Sequence, residues 1–511
     1  MRPRTLRRTA LPAALLALVA ACGGEAPPAD LKYPKHGLLI LSLDTLRADR
    51  LGVYGNQRGL SPHLDAFAEE CVVFDDAFAN SPKTASSHMT LFTSLLPTAH
   101  GVTNTSLREG VPAKMLADNR LTLAQILNRT GYWNAAIASG GNIQQFLGFA
   151  KGFGNHFTSG IRDVRDMVIE AEAVFDRARR QKAPWFFFLH TYQVHAPYVP
   201  PEPYLSRFST RHEGLVADFV DRLAKLRPQE QWRAMHDLWK VEDQLTAEDA
   251  RYLSELYDGE VAYMDSVLGD LFGFLRDKDL LDQMIVVVLS DHGEEFAEHG
   301  DWEHDQLYDE HLHIPLMIRL PHGHHGGTRV EGLTSLVDVM PTLLEMLDLP
   351  GPSPPKYQEM QGTSLVPAIL SGRTRNAPVV AERVMYADKY QGALRSPDAS
   401  VIFRAAIGTP VEGVEGTLEA HDLKADPGQQ TDVAGTARWF CSAAGSLQQN
   451  LASIFALRFA LDQVASGAEV EVPADILAQL EQLGYVEGGG EGGAPLMSWP
   501  VTWLAERCPK P

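Results

Sequence analysis

Three nearly unbroken apolar runs constrain the fold of this chain more than any other feature of its sequence. They are Gly37–Leu43, Trp185–Leu189 and Met284–Leu289. A strand that is apolar at successive positions is buried on both faces, as in a parallel sheet covered by helices on each side. The sequence therefore predicts an α/β fold with a large, mixed but mostly parallel sheet between helices.

Polar residues follow each of these runs. Asp44 ends the first run, and His195 lies a few residues beyond the middle one. Asp291 and His292 follow the last run. Because ligands of open α/β sheets bind beyond the carboxyl ends of the strands, these side chains are predicted to converge. Two carboxylates and an imidazole are a credible ligand set for one divalent cation.

Composition divides the rest of the chain into segments. Patterns typical of amphipathic helices lie between the apolar runs, at 121–131, 163–182 and 252–276. After residue 375, short β-like pieces predict a small antiparallel C-terminal β subdomain. The predicted organisation is a signal peptide (1–21), a tether (22–35), a main domain (36–375) with a charged helical insertion (203–249), a β subdomain (376–445) and a helical tail (446–511).

The N-terminus has the features of an export signal. A basic start precedes the apolar run Ala10–Ala21, which is too short to span a bilayer but suits a signal-peptide core. The segment Val19–Cys22 resembles a bacterial lipobox, so cleavage would leave Cys22 to carry lipid. The alternative is an ordinary signal peptide with a chance cysteine. We expect the protein in the bacterial cell envelope, lipid-anchored at the periplasmic or outer-membrane face.

Charge and cysteine content narrow the possible partners. The formal net charge of −20 argues against nucleic acid as a partner, because phosphate backbones need a basic surface. A small anionic substrate stays possible, because a metal ion and a few histidines can reverse the field locally. In an exported protein Cys441 and Cys508 could pair, whereas Cys71 lies in an apolar run and is expected to be buried.

The hydroxyl-rich segment Thr84–Thr93 admits two interpretations. It can be a helix N-terminus that uses Ser and Thr as caps. The same geometry presents free N–H groups to an anion, and a hydroxyl there can become a nucleophile if a metal lowers its pKa.

Ordered motifs make the chain resemble the sulfatase family, within the alkaline phosphatase superfamily. That family carries C/S-x-P-S-R followed by P-x-x-H-G, and here Pro97–Gly101 sets the register that puts Thr84 at the nucleophile position. The resemblance covers about residues 36 to 435. The other matching segments are Leu43–Asp49, Leu51–Gly55, His195–Tyr198, Tyr257–Val261, Ser290–Glu294, Glu298–Gly300, Leu307–Glu310, Ile314–Leu316, Asp338–Leu344 and Asp426–Pro427.

The resemblance implies one divalent metal ion and a set of site residues. Asn104 and Asn142 could contact substrate or could equally be turn residues, and His299 could be structural. The implied set comprises Thr84, His195 and His304 as catalytic groups, Asp44, Asp291, His292 and the Thr84 oxygen as metal ligands, and Arg47 and His88 as supporting groups.

Several positions depart from the family pattern. Thr84 cannot become formylglycine, the oxidised Cys or Ser that lets sulfatases expel sulfate by breaking a C–O bond; this favours phosphate or phosphonate esters. Thr45 replaces an Asp of the calcium-type site and His292 stands where Asn is frequent, so Zn²⁺ or Mn²⁺ is favoured, with Ca²⁺ or Mg²⁺ possible. Gln193 replaces an Asp and weakens the case for a second metal, and His304 stands where sulfatases have Lys.

The sequence is also compatible with other functions. The chain could be a sulfuric ester hydrolase proper that works with an unmodified Thr84. A phosphotransferase of the same superfamily usually carries several N-terminal spanning helices, which the sequence lacks. A catalytically inactive lipoprotein that binds glycans or phosphoesters is a further alternative. The expected substrate is a small-molecule ester or a glycan or lipid ester.

Overall fold

A computed structural model describes residues 27–103, 113–160, 162–226, 228–384, 389–406, 416–467 and 469–470. The predicted signal peptide, Cys22, Asn104 and Cys508 lie outside these residues. Lipidation of Cys22 and pairing of Cys441 with Cys508 therefore stay predictions. Cys71 is buried, as expected.

The strands include all three predicted apolar runs. In chain order the strands are Gly37–Leu43 (β1), Val72–Phe78 (β2), Ala113–Lys114 (β3), Trp133–Ala138 (β4), His156–Thr158 (β5), Trp185–Thr191 (β6), Met284–Leu289 (β7), Glu295–Phe296 (β8), Trp302–Glu303 (β9), His313–Ile314 (β10), Leu316–Arg319 (β11), Arg329–Ser335 (β12), Val379–Val384 (β13), Lys389–Arg395 (β14), Ala399–Ala406 (β15), Gly416–Asp422 (β16) and Glu469–Val470 (β17).

The three predicted helical segments between the runs are helical, with shifted ends. The α-helices are Pro62–Ala68 (α1), Thr84–Thr93 (α2), Pro97–His100 (α3), Leu123–Arg129 (α4), Val164–Ala178 (α5), Tyr204–Phe208 (α6), Leu215–Leu223 (α7), Pro228–Trp239 (α8), Ala247–Asp277 (α9), Asp309–Leu312 (α10), Val339–Met346 (α11), Val366–Ser371 (α12) and Phe440–Val464 (α13).

The main sheet has nine strands in the order β10-β2-β11-β7-β1-β6-β4-β5, with β12 paired to β2. The central strand β1 is parallel to β7 on one side and to β6 on the other. Strand β11 runs antiparallel to β7, so the sheet is mixed but mostly parallel. This confirms the predicted fold class and brings the ends of the three predicted strands together.

The alternation of side chains along β1 divides the core into two layers. Leu38 and Ile40 belong to an apolar cluster that includes residues of α2, α4 and α11. Leu39 and Leu41 belong to a second cluster, which includes residues of α1, α5 and α9. Because successive side chains point to opposite faces, a strand between two helical layers is apolar at every position.

The C-terminal segment forms the small antiparallel sheet that the sequence predicts, in the order β13-β14-β15-β16. Helix α13 packs its buried residues against this sheet and crosses residue 445, where the β subdomain was predicted to end. Within the described residues, no helix combines the length and the apolar composition that crossing a bilayer requires.

Candidate active site

Three ends of secondary structure bring the predicted metal ligands together. Asp44 follows β1, Asp291 and His292 follow β7, and Thr84 begins α2. All four side chains are buried. One ligand atom each from Asp44, Asp291 and His292 lies within 4.8 Å of the others. Neighbouring parallel strands end at the same edge of the sheet, which explains the convergence.

The distances inside this group fit a small divalent cation. The Nε2 atom of His292 lies 3.2 Å from Thr84 Oγ1 and 3.3 Å from Asp291 Oδ2. Ligands of a tetrahedral ion with bonds of about 2.0–2.1 Å are about 3.3 Å apart. The Nδ1–H of His292 donates to the Gly293 carbonyl at 3.0 Å, which leaves the Nε2 lone pair for the ion.

The two carboxylates need a positive charge. Asp44 Oδ1 and Asp291 Oδ2 are buried and have no hydrogen-bond partner among the described residues. Burial raises the pKa of both carboxyl groups; the nearby Glu294 raises that of Asp44 further, and Asp44 raises that of Asp291. A bound cation compensates buried carboxylates in this arrangement, so the residues fit the metal that the family implies.

Two further histidines support the ligands. His190, on β6, donates from Nε2 to Asp44 Oδ2 at 2.8 Å. His88 donates from Nδ1 to the Thr84 carbonyl at 2.8 Å and accepts at Nε2 from the Ser42 hydroxyl at 2.8 Å. One ligand atom each from His88, His190 and Asp291 also lies within 4.8 Å of the others, but both nitrogens of His88 already have hydrogen-bond partners. Burial lowers the pKa of both imidazoles, that of His190 to about 3.

His195 and His304, the predicted acid–base groups, lie beside the candidate metal ligands. Their ring centroids are 4.9 Å apart, and the His304 ring is 4.5 Å from that of His292. The Nδ1–H of His195 donates to the Ala196 carbonyl at 2.9 Å, so Nε2 is the basic nitrogen. Burial lowers the pKa of both imidazoles, which makes them neutral proton carriers at pH 7.

A buried acid, Glu294, orients His304. His304 Nδ1 lies 2.8 Å from Glu294 Oε1, and the Tyr198 hydroxyl donates to Glu294 Oε2 at 2.9 Å. Burial raises the pKa of Glu294 to about 8. The contact with Glu294 occupies Nδ1 of His304, so Nε2 is the nitrogen that can exchange a proton with a substrate.

Arg47 contacts the loop around the site, and among the described residues its side chain makes no hydrogen bond to a proposed metal ligand. Its guanidinium donates to Asp49 at 2.8 Å, to Glu298 at 2.7 Å and to the Glu294 carbonyl at 3.0 Å. The predicted supporting role therefore consists in fixing the segment after β7. Gly293 belongs to the same turn, where a Cβ atom would lie 2.0 Å from the Glu310 carbonyl oxygen.

The other residues that the sequence analysis singled out make contacts within the protein. Asn142 donates to the Tyr192 hydroxyl at 3.3 Å, and Tyr192 stacks on His195. His299 stacks on Tyr308 with ring centroids 3.6 Å apart, which agrees with a structural role. The hydroxyl of Thr45 donates to the Val194 carbonyl at 3.0 Å.

A cluster of charged residues at the site was not predicted. Lys83, which precedes Thr84, pairs with Asp305, and Arg383 Nη2 lies 2.6 Å from Asp305 Oδ2. Arg383 comes from β13 of the C-terminal sheet. His190 and Glu294 were missed as well. In the sequence, His190 could have been noticed only as a histidine that follows an apolar run, and Glu294 only as an acid close to Asp291 and His292.

The fold and the site define a hydrolase of the alkaline phosphatase superfamily. The sulfatase family model matches residues 37–349, more than half of the chain. The chain therefore belongs to the sulfatase family and is a sulfatase-family ester hydrolase, a family that generally binds a divalent metal.

Two relatives are similar to the chain in sequence, and one solved structure is similar to it in fold. The chain is 24% identical to arylsulfatase K of Gallus gallus over 82% of each chain. It is 21% identical to N-acetylglucosamine-6-O-sulfatase of Bacteroides thetaiotaomicron over 84% of this chain and 87% of that protein. The fold matches the phosphonate monoester hydrolase of Agrobacterium radiobacter with a TM-score of 0.62, 20% identity and coverage of 83% and 96%.

Proposed function

We propose that this enzyme hydrolyses phosphate or phosphonate esters through a covalent intermediate on Thr84. One observation carries the proposal: the residue beside His292 Nε2 is a threonine, whose Oγ1 lies 3.2 Å away at the start of α2. A threonine cannot be oxidised to the aldehyde that releases sulfate by C–O cleavage. A phosphorylated threonine, in contrast, is hydrolysed by attack of water at phosphorus.

The mechanism uses residues that surround Thr84. Asp44, Asp291 and His292 would hold a divalent ion, with Zn²⁺ or Mn²⁺ favoured, and the ion would lower the pKa of the Thr84 hydroxyl. His195 or His304 accepts the proton of the Thr84 hydroxyl as Thr84 Oγ1 forms a bond to phosphorus in line with the ester bond that breaks. The free N–H groups at the start of α2 stabilise the equatorial oxygens.

The histidines move the protons. His195 or His304 passes the proton taken from Thr84 to the leaving alcohol oxygen, so that the P–O ester bond breaks without forming an alkoxide. The neutralised imidazole then accepts a proton from water as the water oxygen attacks phosphorus. The bond between phosphorus and Thr84 Oγ1 breaks as the imidazole returns its proton to Oγ1, which releases phosphate or phosphonate and restores the hydroxyl group.

Hydrolysis of sulfate esters is the second candidate. Two relatives that match over most of this chain are named as sulfatases, an arylsulfatase K and an N-acetylglucosamine-6-O-sulfatase. Under this alternative the unmodified Thr84 accepts the sulfuryl group directly, without the aldehyde chemistry.

Kinetics of paired substrates distinguish the candidates. We would measure kcat/KM for p-nitrophenyl phosphate, bis-p-nitrophenyl phosphate and p-nitrophenyl sulfate, each with Mn²⁺, Zn²⁺ and Ca²⁺. We expect preference for a phosphate ester. Preference for the sulfate would show that an unmodified threonine serves sulfate transfer, and the proposal would fail.

The Thr84→Ala substitution tests the nucleophile. We expect turnover to fall by about 10⁴-fold or more, because the covalent step is lost while the neighbouring groups stay. The melting temperature should stay near that of the wild type, because the substitution removes few buried atoms. Phosphorylation of the wild-type residue during turnover, detected by mass spectrometry after acid quenching, is the direct check. Full activity of the variant would contradict the assignment.

The lipobox-like segment ending at Cys22 supports a further part of the proposal. A lipid on this cysteine would hold the enzyme in the bacterial cell envelope, at the periplasmic or outer-membrane face. The substrates would then be small-molecule, glycan or lipid esters that reach this compartment. Metabolic labelling with a fatty acid, compared with a Cys22→Ser variant, checks the anchor.

A further inference from the structure

Lys83 occupies a helix position that disfavours lysine. It is the N-cap of α2, its side chain makes no capping hydrogen bond, and its carbonyl accepts from Ser87 N at 2.8 Å. Ser, Thr, Asp and Asn are preferred at this position. A cation there also faces the positive end of the helix dipole, which costs stability. The lysine therefore has no stabilising role in the helix.

Lys83 is held by an ion cluster with a net positive charge. Its ammonium pairs with Asp305, and Arg383 Nη2 lies 2.6 Å from the other oxygen of that carboxylate. Two cations share one anion, so one positive charge is not neutralised within the cluster. The exposed fractions of the Lys83 and Arg383 side chains are only 17% and 6%. A charge that is this far from water acts strongly on its neighbours.

The ion cluster of Lys83, Asp305 and Arg383 also contains a hydrogen-bond donor that has no acceptor among the described residues. Arg383 Nε is buried and makes no hydrogen bond to any residue that the structure describes. A buried guanidinium N–H without an acceptor is costly, which points to a ligand oxygen in the working enzyme.

The Lys83 cluster lies beside the proposed nucleophile and the proposed catalytic histidines. Lys83 directly precedes Thr84 in the chain. Asp305 also follows His304 directly in the chain. The charge thus lies at the site where the phosphoryl group would be transferred, next to the N–H groups of α2.

We infer that Lys83, positioned by Asp305 and Arg383, binds a non-bridging oxygen of the tetrahedral oxyanion that the enzyme transfers. This inference rests on the proposed function and adds a substrate contact to it. Lysine is an effective ligand of phosphate oxygens as a point charge. The contact makes the C-terminal sheet part of the active site through Arg383.

Binding of inorganic phosphate to the metal-loaded full chain tests the inference. We would measure the affinity by isothermal titration for the wild type, Lys83→Met and Lys83→Arg. We expect Lys83→Met to weaken phosphate binding by about 10- to 100-fold, because a charge-assisted hydrogen bond is lost. Lys83→Arg should retain most of the affinity. Metal content, measured in parallel, should be the same in all three proteins.

A matched control is Lys32→Met, which removes a lysine paired with Asp348 at 2.6 Å outside the site. Its phosphate affinity should equal that of the wild type. Arg383→Met provides a second test, because the cluster then becomes neutral and phosphate binding should weaken although Lys83 is present. Unchanged affinity in Lys83→Met, with normal metal content, would overturn the inference, and unchanged affinity in Arg383→Met alone would overturn the positioning role of Arg383.

Failure of this inference is distinguishable from failure of the proposed function. If Thr84→Ala retains turnover, the nucleophile assignment fails, whereas the phosphate affinities of the Lys83 variants still report on the contact. If Thr84→Ala is inactive and Lys83→Met binds phosphate normally, only the contact proposed for Lys83 is wrong.

Discussion

Asp44 and His292 of the proposed metal site are each held by a second group in the protein. His190 donates to Asp44, and the Gly293 carbonyl fixes the tautomer of His292. Contacts of this kind orient metal ligands and tune their basicity. Because the imidazoles that support them are neutral, the two carboxylates keep their full charge for the cation.

The His190→Phe substitution tests this support. The ring lies stacked against Phe188 in the apolar part of β6, so a phenyl group fits the surroundings but cannot donate to Asp44. We expect metal affinity to fall by about 10- to 100-fold, measured by competition with a chromogenic chelator. His156→Phe is the control, since His156 pairs with Glu170 at 2.8 Å on β5, away from the metal ligands. Equal metal affinity in the two variants would contradict a role for His190.

Sequence patterns predicted the elements better than they predicted the site. The bounds of β1 and β7 match the predicted runs, because burial on both faces leaves a continuous apolar signal. Strand β14 was not predicted, since Lys389–Arg395 mixes polar residues with a glycine and shows little alternation. Arg383 was missed because its pairing with Asp305 depends on how the small sheet docks, which no local pattern records.

Helix α9 holds the loop that carries His195. Glu260 on this helix accepts from Gln193 Nε2 and from Val199 N, each at 2.8 Å. Burial raises the pKa of Glu260 from 4.5 to about 8. The folded protein therefore retains a proton on this residue that the unfolded chain releases at lower pH.

The pH dependence of stability tests this contact. A raised pKa contributes stability that is fully present below pH 4.5 and is lost as pH rises through about 8. The melting temperature of the wild type should therefore fall between pH 5 and pH 9 relative to that of Glu260→Gln, which cannot ionise. A difference between the two proteins that is independent of pH would show that Glu260 is charged throughout.

The charge of the whole molecule opposes the charge of the proposed substrates. The net charge of −20 repels an anionic ester at long range, although the charge of the Lys83 cluster is positive. Because salt screens such repulsion over about 10 Å at 0.1 M, we expect kcat/KM for an anionic ester to rise severalfold as NaCl increases from 10 to 150 mM. kcat at saturation should change little. A kcat/KM that falls with salt would show that local attraction dominates.

The ligands of the metal group come from distant parts of the chain, since Thr84 and His292 are separated by 208 positions. No short peptide stretch therefore holds enough of the set to chelate an ion before the sheet has formed. An ion that binds the folded state alone stabilises it in proportion to the logarithm of its free concentration. Metal binding by these residues would therefore follow formation of the sheet, and a chelator would remove the ion from folded molecules only.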